Sequence, residues 1–82
     1  MFFATPSLPI NKYVATLLTI KLQSQDAAAR QLGCPPEMVS AAIDQVEDEM
    51  GVLLMICRRD SVFVTPEGWA VVPELRRRAG LG

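Results

Sequence analysis

The sequence predicts a mainly α domain of four helices that carries one small β-hairpin. Three observations support this class. Apolar residues recur at spacings of three and four in separate stretches, each one face of a helix. Ser24, Gly33, Gly51 and Thr65-Pro66 punctuate those stretches as caps and stops. Between the last two lies a run, residues 52–57, that is apolar without helical spacing and reads as a strand. Eighty-two residues suffice for one domain. Half of them are hydrophobic and 21% charged, a composition that collapses rather than staying disordered.

Residues 1–9 hold Pro6, Pro9 and a Ser-Leu-Pro turn signal, and are expected to form an extended arm before a domain spanning 10–80. Ile10, Tyr13, Val14, Leu17 and Leu18 then define one face of a first helix that fades near Leu22-Gln23. Ser24 caps a short second helix by accepting a backbone N–H of its first turn, and Asp26 suits the positive end of the helix dipole. Gly33 ends that helix. Cys34-Pro35-Pro36 is a tight connector, because proline cannot continue one helix but fits the first turn of the next.

The third helix is predicted over 36–50, with Val39, Ala42, Ile43, Val46 and Met50 as its buried stripe and Gly51 as its stop. Two helices joined by a short glycine-containing turn, the second longer, form a helix-turn-helix. Residues 52–57 and 62–65 pair across a turn at 58–61, and a hairpin placed there is a wing. Thr65-Pro66-Glu67 starts a fourth helix with a cap, a proline at the first position and an early acid. That helix carries Trp69, Val72 and Leu75, ends at Gly80, and should kink at Pro73. The architecture is a winged helix-turn-helix.

Composition excludes several chemistries. The chain has no histidine, which removes Ser–His–Asp and Cys–His nucleophiles and imidazole metal sites. Two cysteines cannot build a Cys₄ zinc site, and both read as inert small hydrophobes. No glycine-rich phosphate loop and no carboxylate pair set against a nucleophile occurs, so the expectation is a non-enzyme without cofactors. The longest apolar run is far shorter than the ~18–20 residues that span a bilayer. No basic, long hydrophobic leader is evident either. A cytoplasmic protein with reduced thiols is expected.

Charge is unevenly distributed behind a net of −1. Residues 26–51 set Arg30 against Asp26, Glu37, Asp44, Glu47, Asp48 and Glu49. The flanking segments are net positive, with Lys12 and Lys21 before it and five arginines after it. Glu47-Asp48-Glu49 reads as a solvated helix face. Arg76-Arg77-Arg78 complements the negative end of the last helix, and Trp69 reads as a core or dimer anchor.

From Ser24 to Arg78 the chain resembles the N-terminal DNA-binding domain of LysR-type transcriptional regulators, which molybdate-responsive regulators share. Ala28-Ala29 with Leu32-Gly33 is similar to the end of the family's second helix. Val39-Ser40, Ile43, Val46-Glu47, Met50-Gly51-Val52 and Leu54 follow its recognition helix into the wing. Val62-Phe63-Val64-Thr65 with Gly68, then Val71-Val72-Pro73 and Arg76-Arg77, match the return strand and following helix. These pieces fall in register without a gap. The resemblance implies a dimer that places the third helix of each subunit in successive major grooves of double-stranded DNA. The long effector-binding domain that follows in the family has no counterpart in these residues. On this reading DNA is met by Ser24, Gln25, Pro36, Glu37, Ser40, Ala41, Gln45, Arg58 and Arg59.

Departures from the family pattern define an alternative. Where relatives carry Ser-Gln-Pro and a basic residue, this chain has Pro35, Pro36, Glu37 and Ala41, and Asp44 also replaces a common basic residue. Glu37 can accept from a cytosine amino group, but carboxylates facing phosphates oppose binding. The wing is apolar on both faces at Leu53, Ile56 and Phe63, an exposed surface that calls for a cover. The alternative is therefore a winged-helix interaction module with a degenerate DNA face that dimerises or antagonises a regulator. Its contacts would be Leu53, Ile56, Phe63, Trp69, Val72 and Leu75, with a second copy or another protein as partner.

Overall fold

The computed structural model describes residues 10–58 and 61–81. In chain order they form α1 (Lys12–Leu22), α2 (Gln25–Leu32), α3 (Pro36–Met50), β1 (Met55–Cys57), β2 (Val62–Val64) and α4 (Pro66–Arg78). The arm expected at 1–9 and the hairpin tip at Arg59 lie outside the described residues.

Local chemistry explains each helix boundary. Asn11 caps α1 by accepting from the backbone N–H groups of Tyr13 (2.9 Å) and Val14 (3.2 Å), so the helix begins two residues after Ile10. Ser24 Oγ accepts from Ala27 N–H at 3.0 Å, and Gly33 closes α2 in the left-handed region at φ 70°. Pro35 and Pro36 start α3, where the missing proline N–H leaves no donor unsatisfied. Thr65 caps α4 through Gly68 N–H at 2.9 Å. That helix continues through Pro73 to Arg78, two residues short of the expected end at Gly80.

The core corrects the expected face of α1. Ala15, Thr16, Thr19 and Ile20 are its buried residues, while Tyr13, Val14, Leu17 and Leu18 are only partly covered. The small side chains let α1 pack closely on α3, its principal neighbour. Thr16 and Thr19 satisfy their hydroxyls within the helix, donating to Lys12 and Ala15 carbonyls, each at 2.8 Å. Counting threonine as polar conceals this face. On α3 the expected stripe holds at Val39, Ala42, Ile43 and Val46, with Met50 half-buried at the end. Leu75 is 0% exposed, so it belongs to the core with Leu54 rather than to an interaction surface.

The hairpin is shorter than expected and its alternation is different. Met55, Ile56 and Cys57 pair with Val64, Phe63 and Val62 in antiparallel register. Residues 52–54 are irregular, so Leu54 and Met55 are both buried although they are adjacent. The backbone there is held by Glu47, whose carboxylate accepts from Leu54 N–H at 2.9 Å and Met55 N–H at 3.4 Å. The wing therefore has one apolar inner face, and Leu53, Ile56 and Phe63 remain outside. Thr65 N–H also donates to the Leu54 carbonyl at 3.0 Å, joining α4 to the base of the wing.

Candidate nucleic-acid interface

The DNA-contact residues named from the sequence fall into two groups. The first surrounds a polar cleft of about 260 Å³ between the start of α2 and the wing. Ser24, Gln25 and Arg58 line it, together with Asp26, Arg30 and Ser61. Gln25 Nε2 donates to Cys57 Sγ at 3.2 Å and ties the wing to α2. Burial pushes the Cys57 thiol up from its ordinary value, and the charges of Glu47 and Asp44 push the same way, which disfavours the thiolate.

The second group is the outward stripe of α3. Pro36, Glu37 and Asp44 are exposed, and Ser40, Ala41 and Gln45 are partly so. They lie opposite the buried stripe of the same helix. Asp44 and Asp48 add carboxylates, and no lysine or arginine occurs between Pro36 and Met50.

Arg30 is not among the contact residues named from the sequence, yet it stands beside them. It lines the wing cleft and also a shallower cleft formed with Asp26, Ala29, Cys34 and Pro36. It therefore links the wing to the first turn of α3. The available signal was its place six residues after the Ser24 cap, near the end of a very short helix. Neither Arg30 nor Arg58 forms an ion pair with another described residue. The other cations near α3 are engaged. Lys12 and Arg78 both reach Glu49, and Arg77 and Arg78 pair with Glu74.

The acidic run is not uniformly solvated. Glu47 clamps the wing, and Glu49 receives Lys12, the Tyr13 hydroxyl and Arg78, connecting α3 to α1 and α4. The Lys12 ammonium, and after it the Tyr13 hydroxyl, hold the Glu49 carboxyl below its ordinary value. Asp48 alone of the three faces outward without such a partner among the described residues.

Of the residues assigned to protein contacts, Trp69 is 53% exposed and Val72 half-buried. Both line an open apolar groove of about 540 Å³ between α1 and α4, with Val14, Leu17, Leu18 and Leu81. Lys21 and Arg76 stand on the same groove. Leu53 (54% exposed), Ile56 (41%) and Phe63 (61%) form a separate patch on the wing, where Ile56 and Phe63 are direct cross-strand neighbours. Among the described residues no group of three or more His, Cys, Asp or Glu could hold a metal ion. No described helix is long and apolar enough to cross a membrane.

A family model, the bacterial regulatory helix-turn-helix protein of the lysR family, matches residues 11–69, from the cap of α1 through the wing into α4. The chain belongs to the LysR family. Similar solved structures include the oxidized form of OxyR from Corynebacterium glutamicum, 22% identical with a TM-score of 0.77, over 94% of this chain and 23% of that one. ArgP from Mycobacterium tuberculosis is 29% identical with a TM-score of 0.67, over 88% of this chain and 27% of that one. The BenM DBD in a complex with benA site 1 DNA is 25% identical with a TM-score of 0.66, over 84% of this chain and 75% of that one. The chain thus spans roughly a quarter of the length of OxyR or ArgP. Against curated proteins the LysR-family sequence has no match.

Proposed function

We propose that this chain is the DNA-binding unit of a LysR-family transcriptional regulator, working as a homodimer in the cytoplasm, where bacterial DNA is read. The observation that carries this reading is the family match across helix-turn-helix and wing together. The BenM complex with DNA, a relative at 25% identity, supports it. In this reading α3 enters the major groove. Arg30, Arg58 and the backbone N–H groups at the start of α2 meet phosphate oxygens. The apolar groove around Trp69 and Val72 supplies the dimer contact, because it leaves apolar side chains of α1 and α4 open to a partner. No step in this function calls for catalysis or a cofactor.

Anisotropy titration of bulk duplex DNA across ~50–200 mM salt tests the reading. Phosphate contacts release counterions, so affinity should fall as salt rises. Few cations face the DNA, so the slope should be shallow, and Arg30→Ala with Arg58→Ala should flatten it further. No binding at ~50 mM salt would overturn the proposal. The interaction-module alternative keeps one supporting observation, the exposed Leu53–Ile56–Phe63 patch, and the family match favours DNA binding over it.

A further inference from the structure

The outward stripe of α3 is a surface of hydrogen-bond acceptors. Glu37 lies in the first turn and Asp44 two turns further on, both exposed and both opposite Val39, Ala42, Ile43 and Val46. Neither takes part in an ion pair with another described residue. Glu47 and Glu49, on the flanks of the same helix, are consumed by the fold. Glu37 and Asp44 therefore remain available to a ligand that approaches α3.

In the major groove each base offers a different edge. Guanine presents two acceptors, thymine an acceptor and a methyl group, adenine an acceptor beside an amino group, and cytosine an amino donor. An ionised carboxylate only accepts. Opposite guanine or thymine it meets acceptors and is repelled. Opposite cytosine it gains a charge-assisted hydrogen bond with no opposing acceptor on that base. Adenine falls between, because its amino group sits next to N7.

We propose that Glu37 and Asp44 are specificity-determining residues that read cytosine amino groups, so this chain selects half-sites with cytosine facing α3. The inference rests on the DNA-binding reading and names the DNA it requires. It also divides the work between the two groups of the interface. The cleft around Arg30 and Arg58 holds the backbone, whereas the stripe discriminates and penalises sites that lack amino groups. Such rejection raises the ratio of specific to non-specific binding even as it lowers bulk affinity.

Selection from a random duplex library at ~50 mM salt, with the full chain and with Glu37→Gln and Asp44→Asn, tests the inference. The unaltered chain should return half-sites with cytosine at two positions. Glu37→Gln should lower the cytosine preference at one of them by about tenfold and move it toward adenine, the base that glutamine pairs through N6 and N7. Its affinity for bulk DNA should rise, because a charge facing phosphates is lost. A purely structural role would produce neither change. Asp44→Asn should act at the second position and leave the first untouched. Salt-dependent binding that returns sites without cytosine overturns the inference and leaves the DNA-binding reading standing. So does a base preference unchanged by both substitutions. Failure to retain any DNA overturns both.

Discussion

The joint between the wing and α4 and the outward stripe of α3 are built from the same kinds of residue, yet they are finished differently. At the joint the side chains of Thr65 and Glu47 are both paired with backbone. Thr65 Oγ donates toward the Leu53 and Leu54 carbonyls and accepts from Gly68 N–H, while the Glu47 carboxylate takes the N–H groups of Leu54 and Met55. On the stripe, Glu37 and Asp44 find no cationic partner among the described residues. The difference separates a part that sets the position of the wing from a part left open for a ligand. Substitutions at the joint should therefore cost stability, and substitutions on the open faces should change binding alone.

The largest effect is expected at Leu54, which is completely buried. Leu54→Ala should cost about 2–5 kcal/mol, read from the denaturant midpoint at constant m-value. For a domain of this size each lost kcal/mol lowers Tm by roughly 4–8 °C. Gly68→Ala comes next. A Cβ there would sit 2.2 Å from the Leu54 carbonyl oxygen, and the obstacle is backbone that cannot swing aside. The joint would have to open, at about 1–3 kcal/mol. A Gly68→Ala protein of unchanged stability would show that α4 does not lie against Leu54 as described.

Glu47→Gln should follow at about 1–2 kcal/mol, since a neutral amide oxygen accepts the two N–H groups less strongly than a carboxylate. Thermal melts of Glu47→Gln and Asp48→Asn together sharpen the comparison. The first should shift and the second should stay within about 0.5 kcal/mol, although the two acids are adjacent in sequence. If both shift equally, the assignment of the acidic run to two roles fails.

Trp69→Lys should leave the fold of the single subunit intact by circular dichroism, because half the side chain is exposed there. It should instead turn the expected dimer into a monomer in light scattering. A dimer that survives the substitution would locate its interface elsewhere.

The smallest effect concerns acid. The Glu49 carboxyl is held below its ordinary value of 4.5, first by Lys12. Its contribution is therefore present above pH 4.5 and is lost as the pH falls through the lower folded value. Lys12 is raised above 10.5 by the same bond, so its share is present below that pH and fades above it. Exposure limits the effect to within about 1 kcal/mol. Stability curves of the unaltered chain and Glu49→Gln should converge as the pH falls through the lowered folded value, and parallel curves would show that the pairing contributes nothing.

Much of the fold was legible in the residues. Caps at Ser24, Gly33, Gly51 and Thr65 mark helix ends through local hydrogen bonding and backbone preference, which need no tertiary contact. The buried stripe of α3 follows from spacing alone. The face of α1 was not legible, because Ala15, Thr16 and Thr19 are buried by the closeness of α3 rather than by their own hydrophobicity. The exposure of Leu53 beside buried Leu54 and Met55 depends on a hydrogen bond from the helix seven residues earlier. The family resemblance could name Ser24, Gln25 and Arg58 among nine DNA contacts, but that they share a cleft, and share it with Arg30, appears only once α2 and the wing are in place.

By itself the sequence determined the order and type of the elements, the absence of histidine chemistry and the acidity of α3. Those properties are local, carried by each residue and its near neighbours. Tertiary structure decided which carboxylates are used up and which stay open. Glu47 and Glu49 flank α3 where the wing base, α1 and α4 converge, while Glu37 and Asp44 stand exposed with no cationic partner among the described residues. A carboxylate has the same charge in either place, and only the packing of distant segments determines whether a donor reaches it.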